Sequence, residues 1–125
     1  MDYVATPDAP KAIGPYSQAV KANGIVYTSG QIGLDPATGE LVEGGFEAQA
    51  RRVFQNLAAV LKEAGSDFSR VLKATVYLTD LANFQTLNAI YAETFGDHKP
   101  ARTTVGLTQL PKGGMVEIDL VALTD

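Results

Sequence analysis

The sequence predicts an α+β fold in which two helices cover one face of a mainly antiparallel sheet. Two observations support this prediction: an apolar stripe with helical spacing occurs twice, and the remaining ordered segments are short, β-prone and bounded by turn residues. Taken along the chain, these segments give the element order ββαβαββ. Two helices can cover only one face of such a sheet, so the other face stays open. We expect residues 1–125 to form a single domain.

The first half of the chain predicts a hairpin followed by the longer helix. The opening segment is punctuated by proline and glycine, which is typical of a loop. Residues 17–21 and 25–31 are β-prone runs separated by Asn23-Gly24, a pair that suits a tight hairpin turn. Between Phe46 and Ala64 the apolar residues recur every three or four positions, which predicts an amphipathic helix.

The second half predicts three strands and a shorter helix. Residues 71–78 are rich in β-branched and aromatic side chains and predict a strand, and an apolar stripe from Phe84 to Phe95 predicts the second helix. Residues 103–108 and 116–123 follow as two further strands joined by a Pro-Lys-Gly-Gly turn. We expect these last two strands to pair with each other as an antiparallel hairpin.

Composition excludes several classes of chemistry. The chain has no cysteine and a single histidine, His98, so thiol nucleophiles, disulfides, Cys-ligated zinc and multi-His metal sites are ruled out. The net charge of −4 argues against nucleic acid as the main partner. No signal-like segment opens the sequence and no apolar run is long enough for a membrane span, so we expect a cytoplasmic protein.

Alternation along the last two strands predicts a polar surface on the open face of the sheet. Arg102, Thr104, Glu117 and Asp119 fall on this face if the two strands form a hairpin. That register places Thr108 opposite Glu117 and leaves Arg102 roughly 20 Å away, so a site using both charges would be shared between chains. The simpler alternatives are a solvent-facing strand for the carboxylates and a surface ion pair for the arginine.

Four segments of the sequence resemble the RidA/YjgF family, also called the L-PSP family. They are Ile13–Ala19, Thr28–Ile32, the helix around Asn88, and Pro100-Ala101-Arg102 together with Leu110-Pro111-Lys112 and Val116-Glu117-Ile118. The likeness runs in order over nearly the whole chain. It implies a chorismate-mutase-like (YjgF-like) fold with a six-stranded, mainly antiparallel sheet and two helices on one face. It also implies a homotrimer with ligand clefts between subunits.

The resemblance further implies an imine deaminase. Such an enzyme hydrolyses 2-iminobutanoate and 2-iminopropanoate, reactive products of pyridoxal-phosphate dehydratases, to 2-oxo acids and ammonia without metal or cofactor. By motif, Arg102 would bind the substrate carboxylate and Glu117 would position or activate the attacking water. The cleft would be lined by Tyr16, Ser29, Gly30, Asn88 and Thr104. A fixed guanidinium beside a carboxylate suits this chemistry, because the substrate is a small carboxylate next to an electrophilic carbon.

Two other functions stay open at this point. One is a non-catalytic module that binds 2-oxo acids or similar metabolites and acts in regulation. The other is the endoribonuclease or translation-inhibitor activity also attributed to the family, against which the acidic charge balance argues, since a nuclease should present a basic stripe. The sequence departs from the common family pattern at Thr103, where Ser is frequent, and at Thr104, where several members have Cys.

Overall fold

The computed structural model describes residues 1–125 and contains one six-stranded sheet. The strands are β1 (Asp2–Val4), β2 (Ala19–Ala22), β3 (Ile25–Thr28), β4 (Val71–Leu78), β5 (Ala101–Gly106) and β6 (Val116–Leu123), and the helices are α1 (Gly45–Glu63) and α2 (Phe84–Phe95). The strand order is β1-β2-β3-β6-β4-β5, and only the β4–β5 pair is parallel. The predicted α+β class, with both helices on one face, is confirmed.

The hairpin between β2 and β3 turns where the sequence predicts it. Asn23 and Gly24 adopt φ angles of 53° and 78°, the positive values that a two-residue hairpin turn requires. Both strands are shorter than predicted, because the chain leaves the ladder after Thr28. The sequence prediction missed β1, which pairs with β2 at the edge of the sheet. A three-residue strand is too short to show alternation.

The core lies between the sheet and the helices. Along α1, the residues with no exposed surface recur at helical spacing: Ala50, Val53, Asn56, Leu57, Val60 and Leu61. Alternate residues of β4 and β6, such as Val76 and Ile118, pack beneath them. Burial of this apolar surface is the main stabilising contribution to the fold. No helix combines the length and apolarity that crossing a bilayer would require.

The predicted pairing of the last two strands is wrong. β4 lies between them: Glu117 of β6 is opposite Tyr77 of β4, and Arg102 of β5 is opposite Ala74 of β4. The reason is the helix between β4 and β5, because a strand–helix–strand crossover returns the second strand parallel to the first. Nine residues then separate β5 from β6 and span the intervening strand.

This topology also corrects the assignment of faces. Directly paired residues point to the same side of a sheet, and Ala74 and Val76 are buried beneath the helices. Arg102 and Thr104, their partners in β5, therefore lie on the helix side rather than on the open face. Glu117 and Asp119 do lie on the open face, as predicted, since Ile118 between them is buried.

Candidate active site

Glu117 lines a small pocket on the open side of the sheet. Its carboxyl group lies against Gly30, where an added Cβ would come within 2.7 Å of the carboxyl carbon. Tyr16, Gln31 and Lys112 line the same cavity, which measures about 90 Å³. Three residues predicted for the site from the sequence thus lie together: Tyr16, Gly30 and Glu117.

Gly30 approaches Glu117 because the β3–β6 ladder is interrupted after Thr28. The Thr28 hydroxyl, instead of its backbone, accepts a hydrogen bond from the Leu120 N–H at 2.9 Å. Pairing then resumes with a bridge between Gln31 and Ile118. The Gly30 N–H has no hydrogen-bond partner within the chain. Gly30 is also exposed, so this N–H is available to donate to solvent or to a ligand.

Ser29, also predicted to line the cleft, uses its hydrogen-bonding groups within the chain. Its hydroxyl donates to the Ser17 carbonyl at 2.5 Å, and its N–H donates to the Gln18 carbonyl at 2.9 Å. Both hydrogen bonds hold the segment after Thr28, which contains Gly30, against the residues that precede β2. Ser29 therefore affects the pocket by holding the backbone next to Gly30 in place.

The two carboxylates on the open face are both harder to ionise than ordinary side chains. Burial raises the pKa of Glu117, and the nearby charge of Asp119 raises it further. Burial also raises the pKa of Asp119, although the Tyr77 hydroxyl and the Lys73 ammonium offset part of this effect. A carboxylate with a raised pKa is a better general base than an ordinary one.

Arg102 forms a second cluster, on the helix side of the sheet. Its Nη1 donates to Asn88 Oδ1 at 2.8 Å, and its guanidinium carbon lies 4.7 Å from the Tyr91 ring centroid and 5.5 Å from that of Phe84. None of the ion pairs in the chain involves it. The guanidinium plane is therefore fixed while other N–H groups remain available, as bidentate carboxylate recognition needs.

Thr104 belongs to this second cluster as well. It lies two residues after Arg102 on the same side of β5, and its hydroxyl oxygen is buried without a hydrogen-bond partner. The Tyr91 hydroxyl on α2 is also buried without a hydrogen-bond partner. Buried hydroxyls are normally satisfied, so two unsatisfied ones in one cluster are consistent with a binding surface.

Phe84 and Tyr91 were not predicted from the sequence as site residues. They share a face of α2 with Asn88, at spacings of four and three residues, and this helical spacing was the available signal. His98, the single histidine, bonds the Val71 carbonyl through Nε2 at 2.7 Å and borders the Arg102 cluster. No group of three or more His, Cys, Asp or Glu side chains is arranged to hold a metal ion.

Within one chain the Glu117 pocket and the Arg102 cluster do not form one site. Arg102, Asn88 and Thr104 lie on the helix side of the sheet, whereas Glu117 and Gly30 border the open side. The sheet itself separates them. A single substrate can therefore contact both Arg102 and Glu117 only if two copies of the chain contribute.

Known proteins of similar sequence were identified over nearly the whole chain. The 2-iminobutanoate/2-iminopropanoate deaminases of Bos taurus and Homo sapiens are 48% and 47% identical to it over 120 residues, covering 96% of this chain and 88% of each relative. A RutC family protein of Pyrococcus abyssi is 46% identical over 121 residues, covering 97% of this chain and 95% of the relative.

Solved structures agree in fold. A Thermotoga maritima protein superimposes with a TM-score of 0.97 at 46% identity, covering 100% of this chain and 98% of its own. Escherichia coli TdcF, solved with bound serine, gives a TM-score of 0.94 at 38% identity with 100% of both chains covered. Residues 6–124 match the family model described as Endoribonuclease L-PSP. The chain is therefore a member of the L-PSP family, to which the RidA and YjgF proteins belong.

Proposed function

We propose that this protein is an imine deaminase that hydrolyses 2-iminobutanoate and 2-iminopropanoate to 2-oxobutanoate and pyruvate with release of ammonia. The observation that carries the proposal is the Arg102 cluster, since a fixed guanidinium with free donors is suited to anchoring a small carboxylate. The mammalian relatives named for this reaction add support, as does the serine bound to TdcF, a small molecule that carries a carboxylate.

The proposal places each active site between two subunits of a homotrimer. Arg102 lies on β5, an edge strand, where the helix side of one subunit can face the open side of the next. The open face also carries apolar side chains, among them Tyr27 and Val121, whose burial would stabilise the assembly. In this arrangement Arg102, Asn88 and Thr104 come from one chain, and Tyr16, Gly30 and Glu117 from its neighbour.

The chemistry that these residues would perform is water addition to a C=N bond. Arg102 holds the substrate carboxylate, so that the imine carbon lies near Glu117 of the neighbouring subunit. The Glu117 carboxylate accepts a proton as the water oxygen bonds to the imine carbon. The carboxyl group passes this proton to the nitrogen, which gives an amino alcohol. The carboxylate then takes the hydroxyl proton and passes it to the nitrogen as the C=O bond forms, the C–N bond breaks and ammonia leaves. The free Gly30 N–H would orient the substrate or water.

Substitution of Arg102 tests the carboxylate anchor. A dehydratase that generates 2-iminobutanoate supplies the substrate, and the protein should accelerate its loss. Arg102→Ala should raise KM at least about tenfold, because losing one charge-assisted hydrogen bond of about 1.5 kcal/mol or more has that effect. Arg51→Ala, which removes an arginine from the exposed side of α1, is the matched control.

The outcomes separate the candidate functions. No acceleration by the wild-type protein would contradict the deaminase proposal, and 2-oxobutanoate binding in that case would favour a metabolite-binding module. Equal activity of Arg102→Ala and wild type would leave the deaminase proposal standing but would contradict the role of Arg102 as the carboxylate anchor. Cleavage of RNA without imine hydrolysis would favour the endoribonuclease named by the family description.

Mixing two variants that are each impaired at one half of the site tests whether the site is shared. Arg102→Ala and Glu117→Gln subunits, refolded together from denaturant, form interfaces in which one chain supplies the arginine and the other the carboxylate. With random assembly about one quarter of the sites regain both groups, because a head-to-tail interface joins unlike surfaces. Activity in the mixture well above that of either variant supports the shared site. No recovery from a mixture shown to contain hybrid trimers would contradict it.

A further inference from the structure

Two amide side chains are buried on the core-facing side of α1. Gln49 is 7% exposed and Asn56 is 0% exposed, and they lie seven residues apart, which is two helical turns on the same face. A buried amide costs free energy unless its donors and acceptors are paired. The groups to which these two amides bond therefore indicate what they do.

Asn56 holds the loop that follows Gly30. Its Nδ2 donates to the Leu34 carbonyl at 3.0 Å and to the Ile32 carbonyl at 3.4 Å. Its Oδ1 accepts from Arg52 Nε, one turn earlier in the helix, at 2.9 Å. Arg52 thereby fixes the amide in the orientation that points both donors at the loop.

Gln49 holds the segment that leads into Glu117. Its Oε1 accepts from the Met115 N–H at 2.9 Å, two residues before Glu117. Gly33 packs against the same residue, since a Cβ at position 33 would lie only 2.8 Å from the Gln49 Cα atom. The loop can approach the helix this closely because glycine has no side chain.

The two tethered segments are joined beside the Glu117 pocket. The Gln31 backbone N–H donates to the Ile118 carbonyl at 2.9 Å, and the Ile118 N–H donates to the Gln31 backbone carbonyl at 3.1 Å. Gly30 immediately precedes Gln31, and Glu117 immediately precedes Ile118. Both sides of the Gly30–Glu117 contact are therefore anchored to the same helix.

We propose that Gln49 and Asn56 are positioning residues that set the distance between the Glu117 carboxyl and Gly30. Neither amide lines the pocket, so both act through the backbone segments that they hold. The inference rests on the proposed function, which gives Glu117 its chemical role.

The test uses near-isosteric variants that remove the tethers. Asn56→Leu and Gln49→Met should each lower kcat for 2-iminobutanoate by about tenfold to a hundredfold, because misplacing a reacting group by about 1 Å costs that much. KM should change little, since Arg102 binds the carboxylate. Val60→Ala is the matched control: it is fully buried in the same helix, and it should lower the unfolding temperature without lowering kcat.

A second measurement does not depend on turnover. Carbon-13 NMR of the Glu117 carboxyl should show its pKa, which burial raises in the wild type, moving back toward the ordinary value in both tether variants, because a loosened pocket admits water. Val60→Ala should leave this titration unchanged.

Each outcome decides a different point. Tether variants that match Val60→Ala in both kcat and titration would overturn the inference. If Glu117→Gln keeps full activity, the chemical role that the proposed function gives Glu117 fails instead, and the titration still reports whether the tethers position the carboxyl. Should Asn56→Leu fail to fold, Gln49→Met decides, because it leaves a single backbone N–H unpaired.

Discussion

At the scale of single residues, the open face of the sheet holds two carboxyl groups whose ionised forms are disfavoured. Burial and the charge of Asp119 both raise the pKa of Glu117. In the folded chain this carboxyl therefore binds a proton at pH values where the unfolded chain has already released it. Ionisation of Glu117 therefore lowers the free energy of unfolding, whereas ionisation of a paired carboxylate usually raises it.

Stability should consequently depend on pH through Glu117. Below the ordinary carboxyl pKa both states are protonated and no penalty exists. As the pH rises from that value through the raised pKa of Glu117, the folded state binds more protons than the unfolded state and stability falls. Glu117→Gln should therefore unfold at a higher temperature than the wild type at neutral pH, with the difference vanishing in acid.

Calorimetric scans over pH would check this expectation. Glu43→Gln, at an exposed loop position, is the control and should follow the wild type. A Glu117→Gln variant that is less stable than the wild type at neutral pH would show that the carboxylate makes net favourable contacts there.

At the scale of elements, one side chain fastens the N-terminal arm, residues 5–16, to the sheet. Gln18 is 5% exposed, and its Oε1 accepts from the Thr6 N–H at 2.7 Å. Its Nε2 donates to the Thr6 carbonyl at 3.1 Å and to the Pro10 carbonyl at 2.8 Å. The arm leads to Tyr16, so this glutamine also helps to place one wall of the Glu117 pocket.

Gln18→Leu should release the arm. Each buried backbone group left unpaired costs about 1–3 kcal/mol, so the unfolding free energy should fall measurably. Hydrogen exchange at the Thr6 amide should accelerate most, because its acceptor is lost. Gln55→Leu, on the exposed face of α1, is the control. Unchanged protection at Thr6 would show that the arm is held by its apolar contacts instead.

The sequence predicted the helices and the longer strands more accurately than it predicted strand pairing or side-chain contacts. Both helices and the strand at 71–78 were predicted at nearly their observed bounds, because their apolar residues repeat with a clear period. The short strand β1 and the interruption after Thr28 carry no such period and were missed. The Gly30–Glu117 contact depends on that interruption. The resemblance named both residues without indicating that they touch.

At the scale of the whole molecule, neither helix packs on the open face of the sheet. Val121 lies on this face beside Tyr27, a tyrosine that is 49% exposed. Apolar side chains on an uncovered sheet mark an interaction surface, and the proposed trimer would bury them.

Val121→Lys should therefore prevent assembly without unfolding the subunit. A charge on the open face opposes burial against a second chain, whereas the core on the helix side is not touched. Sedimentation should change from trimer to monomer, circular dichroism should be retained, and imine hydrolysis should be lost with the shared site. Ala58→Lys, on the exposed side of α1, should remain trimeric and active. A wild-type monomer that is active would contradict the shared site.

The sequence by itself determined the helices, the principal strands and the chemical types available to the site. The tertiary structure alone decided which face each strand turns to the helices. Alternation sorts the residues of a strand into two sets, but it does not say which neighbour the strand pairs with. In β5 the set with Thr103 and Val105 was predicted to be covered, yet both are exposed and Arg102 lies beneath α2. Strand order arises from contacts distant in sequence, here the insertion of β4 between β5 and β6, which no local pattern records.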